Sequence, residues 1–345
     1  MKIRSILSGT PQNPIIIAEI GVNHNGSLDQ AKKLIDAAKS SGADAVKFQY
    51  FKAQDLARGN PEKVSYQKKN EGDERSHYEM LEALEFNSEK HYEACKYSHG
   101  QGMLFGTTIY NASDCELLEE LGLDFIKVAS ADIVDHEILK AIASRDWFII
   151  LSTGASTYEE VTEASDVLND NHFCMMQCTS NYPASHTSLN VNVLESYRTF
   201  CTLIGYSDHS TDSLASQLAL AKGACYFEKH LTLDKNSAGP DHIASLDPKE
   251  FRNYVDAIHS AAKILGKSKK DVQTEELNMR RTSRKSLHFS RNLRKGEKLT
   301  KEDMFLSRPG HGIYAKEIDC LVGKELVSDA YEGSLVLKEL FKEEI

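Results

Sequence analysis

Eight short apolar runs recur along the first 265 residues: 15–21, 45–50, 103–108, 125–130, 148–154, 173–180, 202–209 and 225–232. Each is rich in residues that suit strands buried on both faces. Between them apolar positions repeat at helical spacing, as in SLDQAKKLIDAAKSSGA and DPKEFRNYVDAIHSAAKILG. STYEEVTEASDVLND opens on a serine cap with acids in its first turn. Eight strands, each followed by a helix or a helix-length segment, predict an α/β fold of the (β/α)8 TIM-barrel type; a doubly wound open sheet is the alternative. The polar stretch at 51–87 exceeds an ordinary βα loop and reads as a helical insertion or lid at the barrel mouth. After Gly266 the pattern changes. Residues 1–266 are expected to form the barrel, 267–284 a charged linker, and 285–345 a compact domain of short strands and turns.

The length of 345 residues fits this division, because a barrel takes roughly 250 residues. A hydrophobic share of 41% and a charged share of 27% are those of a globular protein. No apolar run reaches the ~18 residues of a membrane helix, and the N-terminus lacks the apolar core of a secretion signal, so a cytoplasmic location is expected. A net charge of −10 argues against a nucleic-acid partner. It does not exclude a small anionic substrate, since a site can be locally basic in an acidic chain. The seven cysteines lack zinc-type spacing and are expected to be buried, reduced thiols.

Candidate chemistry gathers at the C-terminal ends of the runs, where a barrel carries its site. Glu19, Lys47, Gln49, Thr107, Thr108, Lys127, Ser130, Ser152, Asn181, Ser207 and Glu228 all stand there. A buried lysine needs a partner. Lys47 and Lys127 beside hydroxyls and amides therefore predict an anion pocket suited to phosphate or carboxylate. His209 and His230 end the seventh and eighth runs, so neighbouring strands would bring them together. With a nearby carboxylate they suit Mn2+, Zn2+ or a similar ion. His77, His91, His99, His172, His259 and His288 lie in polar helices or loops and are expected to be solvated.

AEIGVNHNGS (18–27), VKFQ (46–49), IKVAS (126–130), LSTG (151–154), QCTSNYP (177–183), GYSDH (205–209), EKHLTLDKNSAGPDHIASLDP (228–248) and GEKLTKEDMFLSRPGHGI (296–313) together resemble the N-acetylneuraminate (sialic acid) synthase family. The final segment is similar to the antifreeze-like (SAF) domain of those enzymes. The resemblance implies a transferase that condenses phosphoenolpyruvate with an open-chain N-acetylmannosamine-type aldehyde. It implies that Lys47, Gln49, Thr107, Lys127, Ser130, Ser152, Asn181 and Ser207 hold phosphoenolpyruvate. His209 and His230 would bind a divalent metal, Mn2+ first and Mg2+ or Co2+ as alternatives, which polarises the aldehyde. The phosphoenolpyruvate methylene attacks that aldehyde, water adds at the enol-ether carbon, and phosphate leaves with C–O cleavage. Glu19 and Glu228 would bind sugar hydroxyls or handle protons, the general base staying unassigned, and Tyr182 and Asp241 would line the sugar end. Arg308 would reach from the small domain into the partner subunit's site and grip the N-acyl group, which implies a domain-swapped homodimer. One departure is visible: Gly-Thr-Thr-Ile (106–109) stands where the family usually has a Ser-Thr-Pro-Phe-like string.

Three other readings remain at this point. A relative could take a 2,4-diacetamido-trideoxy hexose and make legionaminic or pseudaminic acid with the same core. A keto-acid sugar-phosphate synthase would need more basic residues and no SAF domain. A degenerate barrel would leave only a binding protein.

Overall fold

A computed structural model describes residues 9–342 other than 60, 64–66, 68–74, 169 and 170. The chain divides into two compact units, residues 1–266 and 267–345. In the first, strands β1 (Ile15–Gly21), β2 (Ala45–Tyr50), β3 (Leu104–Ile109), β4 (Phe125–Val128), β5 (Phe148–Ser152), β6 (Phe173–Cys178), β7 (Leu203–Asp208) and β8 (Tyr226–His230) close into one barrel in sequence order. Every neighbouring pair is parallel, and β1 pairs with β8 to complete the ring.

Two apolar cores follow from the two faces of each strand. Ile15, Ile17, Ala45, Phe125, Phe148, Ile150, Cys174, Met176 and Tyr226 fill the lower barrel interior. Ile16, Phe48, Phe105, Ile126, Leu151, Met175 and Phe227 face the surrounding helices. The interior leaves little spare volume. A Cβ on Gly106 would sit 2.2 Å from the Phe125 ring, so an inward-facing side chain at 106 is excluded while Phe125 fills the centre.

The helices carry the signals read from their sequences. Ser27 caps Leu28–Ser40 by accepting from the Gln30 amide. Helix Pro248–Leu265 has proline in its first turn and a reciprocal Asp247–Glu250 capping box, and it buries Phe251, Tyr254, Val255, Ile258 and Ala262 at helical spacing. Such a cap stabilises a helix by about 1 kcal/mol. Among the described residues of the stretch at 51–87, the helices Ala53–Leu56 and His77–Leu84 pack with Val22 and Phe51. The polar middle of that stretch lies outside the described residues.

In the second unit, residues 274–283 form a 3-10 turn and the helix Leu277–Ser283. Strands β9 (Ser286–Phe289) and β10 (Met304–Ser307) pair antiparallel. Bridges at Leu293–Ala330, Lys298–Glu325 and Leu326–Phe341 tie the rest around a core of Leu287, Phe289, Leu299, Leu321 and Val336. Among the described residues no helix is long and apolar enough to cross a membrane. The seven cysteines are free; Cys201 is half-buried, Cys320 is exposed and the other five are buried. His91 and His288 are also buried rather than solvated. The His91 ring packs edge-on against Tyr50 and Phe86, and its Nδ1 binds the Phe86 carbonyl oxygen at 2.8 Å.

Candidate active site

Strand parity decides which polar groups enter the barrel. Ala45 and Phe125 point inward, so Lys47 and Lys127, two residues further along β2 and β4, do the same. Lys47 Nζ lies 3.1 Å from Glu19 Oε2 and 3.3 Å from Glu228 Oε2. Lys127 Nζ lies 3.8 Å from Glu228 Oε1 and donates to Ser152 Oγ. Ser207 donates to Glu228 Oε1 at 2.8 Å. Above this layer Gln49 Nε2 donates to Glu19 Oε1 at 2.9 Å, and Tyr110 Oη donates to Gln49 Oε1 at 3.1 Å. The four charged groups are all at most 5% exposed. They form a neutral quartet of two cations and two carboxylates, inside a cavity where each charge needs the others.

The carboxylates are held differently. Burial pushes Glu19 up to about 7, and Glu228 pushes the same way against the opposing pull of Lys47. Burial acts upward on Glu228 too, but Lys127, Lys47 and the Ser207 hydroxyl bring it down to about 2. Glu19 can thus hold a proton near neutrality, whereas Glu228 stays ionised. Burial lowers the Lys127 ammonium, whereas Glu19 and Glu228 outweigh burial at Lys47 and raise it.

The adjacent threonines reverse one expectation. Thr107 pairs in register with Phe48 and Ile126, both of which face the helices. Its hydroxyl lies 3.3 Å from His91 Nε2, behind the barrel wall, so Thr107 does not line the anion pocket. Thr108 pairs with Gln49 and Lys127 and turns inward. Its Oγ1 is buried and lacks a hydrogen-bond partner among the described residues. The string Gly-Thr-Thr-Ile therefore supplies a pocket hydroxyl, one position later than expected.

Cys178 is a residue that the sequence reading passed over. It ends β6 on the inward face, 3.6 Å from His209 Nδ1 and close to Ser130 and Gly154. Ser130 Oγ accepts the Gly154 amide at 3.0 Å. Asn181 sits on an exposed loop, where its amide donates to the Pro183 carbonyl oxygen at 3.1 Å. Arg308, in the second unit, follows β10 in an exposed turn.

His209 and His230 do converge: their ring centroids are 5.6 Å apart. Tyr182 lies against both, at 4.1 Å from the His209 ring and edge-on at 5.7 Å from His230. His209 Nδ1 meets the Thr179 carbonyl oxygen at 2.8 Å, which places its proton there and leaves Nε2 a lone-pair donor. His230 Nδ1 is buried without a hydrogen-bond partner among the described residues, and burial, with His209 next, holds this imidazole neutral. Burial acts downward on His209, but Cys178 beside it and the Thr179 carbonyl outweigh burial and raise it. Two imidazoles on converging rings suit a divalent ion completed by water and substrate, once His209 gives up its second proton. Among the described residues no group of three or more His, Cys, Asp or Glu side chains is arranged to complete such a shell. Asp241 lies on the loop after β8, and burial raises it to about 6.

A closed (β/α)8 barrel with a buried cation–carboxylate layer under two histidines, followed by a small β unit, defines the class. Residues 34–270 match the NeuB family and residues 284–342 match the SAF domain. The chain belongs to the NeuB family and is a phosphoenolpyruvate-dependent synthase of the transferase type. It is 40% identical over 339 residues to the N,N'-diacetyllegionaminic acid synthase of Legionella pneumophila, covering 96% of this chain and 95% of that one. It is 37% identical to the N,N'-diacetyllegionaminic acid synthase of Campylobacter jejuni, covering 93% and 98%. The crystal structure of the N-acetylneuraminic acid (sialic acid) synthetase of Leptospira borgpetersenii, in complex with citrate, superposes with a TM-score of 0.69 at 30% identity, covering 78% of this chain and 90% of that one.

Proposed function

We propose that this synthase condenses phosphoenolpyruvate with a 2,4-diacetamido-2,4,6-trideoxy hexose to give a legionaminic-type nonulosonic acid and phosphate. The observation that carries the condensation is the buried Lys47–Lys127 layer with its proton-carrying Glu19. Similarity to two legionaminic acid synthases favours the diacetamido sugar over N-acetylmannosamine.

In this reading the phosphate and carboxylate of phosphoenolpyruvate take the place of Glu19 beside the two ammonium groups, which stay against Glu228. Hydroxyls of Thr108, Ser130, Ser152 and Ser207 turn toward the new acceptors. An added anion raises the proton affinity of Glu19 further, so Glu19 is protonated and serves as a donor beside the reacting carbons. Glu228, still ionised, stabilises the positive charge that develops at the enol-ether carbon. His209 and His230 would hold a divalent metal, whose role when bound is to polarise the sugar aldehyde. Tyr182 packs over the histidines and shields that end from water. Asp241 lines the sugar end, and Arg308 supplies the N-acyl contact from a second subunit of a homodimer.

A panel of aldehydes read by product mass tests the choice of sugar. The expected result is fastest turnover of the diacetamido-trideoxy mannose. Preference for N-acetylmannosamine would return the assignment to N-acetylneuraminate. Phosphate release with none of these sugars would overturn the reading.

A further inference from the structure

The segment Asn23–His24–Asn25 lies just beyond Glu19, yet none of its side chains joins the lysine layer. All three groups do something else. Asn23 is 4% exposed. Its Nδ2 donates both to the Leu231 carbonyl oxygen at 2.9 Å and to Ser245 Oγ at 2.8 Å. Ser245, 1% exposed, passes its own hydrogen to the Asp241 carbonyl oxygen at 2.7 Å. Asn25 Nδ2 donates to the Ala238 carbonyl oxygen at 3.0 Å, which turns Oδ1 toward His242 Nε2 at 3.4 Å. On its other side His242 Nδ1 lies 2.7 Å from the Thr232 hydroxyl. His24 anchors the segment from below: its ring is fully buried 4.3 Å from Phe86, and its Nδ1 accepts the Gly26 amide.

These contacts link residues more than 200 positions apart and converge on one loop, 231–247. The loop has little regular structure of its own: one 3-10 turn, His242–Ala244, and a bridge between Leu231 and Leu246. Main-chain bonds hold its two ends, the Leu231 amide on the Glu19 carbonyl oxygen and the Leu246 amide on the His230 carbonyl oxygen, and side chains place what lies between. Gly239 records how close the approach is. Its φ is +147°, and a Cβ there would lie 2.8 Å from the His242 ring and 3.1 Å from Asn25 Oδ1. One amide, Asn23, fixes the residue that follows His230 and, through Ser245, the backbone of Asp241.

We propose that Asn23, Asn25 and Ser245 are positioning residues that clasp the loop after β8 and thereby set the side chain of Asp241 against the amino sugar. This rests on the sugar-end role given to Asp241 above. A clasp that served only folding would lower stability and weaken both substrates alike. A positioning clasp acts on the sugar alone and only through Asp241.

The test uses the full-length protein and the aldehyde that the wild type turns over. Ser245→Ala and Asn25→Gly are measured singly and in an Asp241→Ala background, Asn25→Gly keeping the left-handed backbone of that position (φ 48°) free of strain. Each single variant should raise the sugar KM about tenfold while leaving phosphoenolpyruvate affinity by calorimetry within about twofold. In the Asp241→Ala background the further increase should vanish. An unchanged sugar KM, a parallel loss of phosphoenolpyruvate affinity, or a full effect persisting without Asp241 would each overturn the clasp. If the wild type turns over no amino-sugar aldehyde, the proposed function itself falls; normal wild-type turnover with normal variants removes only the clasp.

Discussion

Thr107 and Thr108 are chemically identical neighbours, and the strand pleat sends one hydroxyl to His91 and the other to Lys127's layer. Thr108→Val should therefore weaken phosphoenolpyruvate binding about tenfold by calorimetry. Thr107→Val should leave that affinity unchanged and lower the melting temperature instead. Equal effects of the two on affinity would contradict the parity assignment. Glu19 makes a second residue-scale prediction. Its folded-state value of about 7 lies above the ordinary 4.5, so the folded chain keeps a proton that the unfolded chain has released. The stability this contributes is complete below about 4.5 and is lost as pH rises through about 7. Asp241, raised to about 6, acts in the same sense. The melting temperature of Glu19→Gln should fall less between pH 5 and pH 8 than that of the wild type; parallel curves would refute the shift.

At the scale of elements, β7 and β8 carry the histidines inward and a buried ion pair outward. Lys229 Nζ lies 3.2 Å from Asp208 Oδ1, the two residues are register partners, and each directly precedes a histidine. Ser216 donates to the second Asp208 oxygen at 2.8 Å, so the carboxylate is held on both sides. Lys229→Met alone leaves that carboxylate buried and unpaired, and denaturant unfolding should show a loss of about 3–5 kcal/mol. His209→Ala removes an inward donor without touching this pair. It should abolish Mn2+ binding by calorimetry while the fold, read by circular dichroism, is retained; undiminished Mn2+ affinity would remove His209 from the metal site.

At the scale of the molecule, the barrel and the SAF unit are separate compact bodies, and the proposal for Arg308 makes activity depend on two chains. Mixed dimers decide it. Arg308→Ala and Lys127→Met should each be inactive alone. Refolded together, a hybrid that shares Arg308 across subunits regains one intact site in two, and activity returns. A mixture that stays inactive would place Arg308 in its own subunit's site, and an active Arg308→Ala enzyme would place it outside the reaction.

Much of this architecture is present in the order of residues alone. Strand-length apolar runs separated by capped helical repeats dictate eight βα units, because each element must bury its apolar face against the next. The positions of Lys47, Lys127, Glu19 and Glu228 at strand ends dictate a charged layer at one end of the barrel, and the change of pattern after Gly266 marks a second unit. Tertiary structure decided what depends on which way a side chain points and on partners distant in sequence. The run MLFGTT has no polar–apolar alternation at its end, so the pairing of Thr108 with Gln49 and Lys127 had to choose between the two hydroxyls. The burial of His91 comes from Phe48, Tyr50 and Phe105 on the barrel strands, which its own polar helix does not announce. Cys178 looks like any core thiol until the barrel closes and brings His209 beside it. The Asn23–Ser245 contact spans 222 positions, a separation at which sequence spacing carries no distance information and only closure of β1 onto β8 brings the partners together.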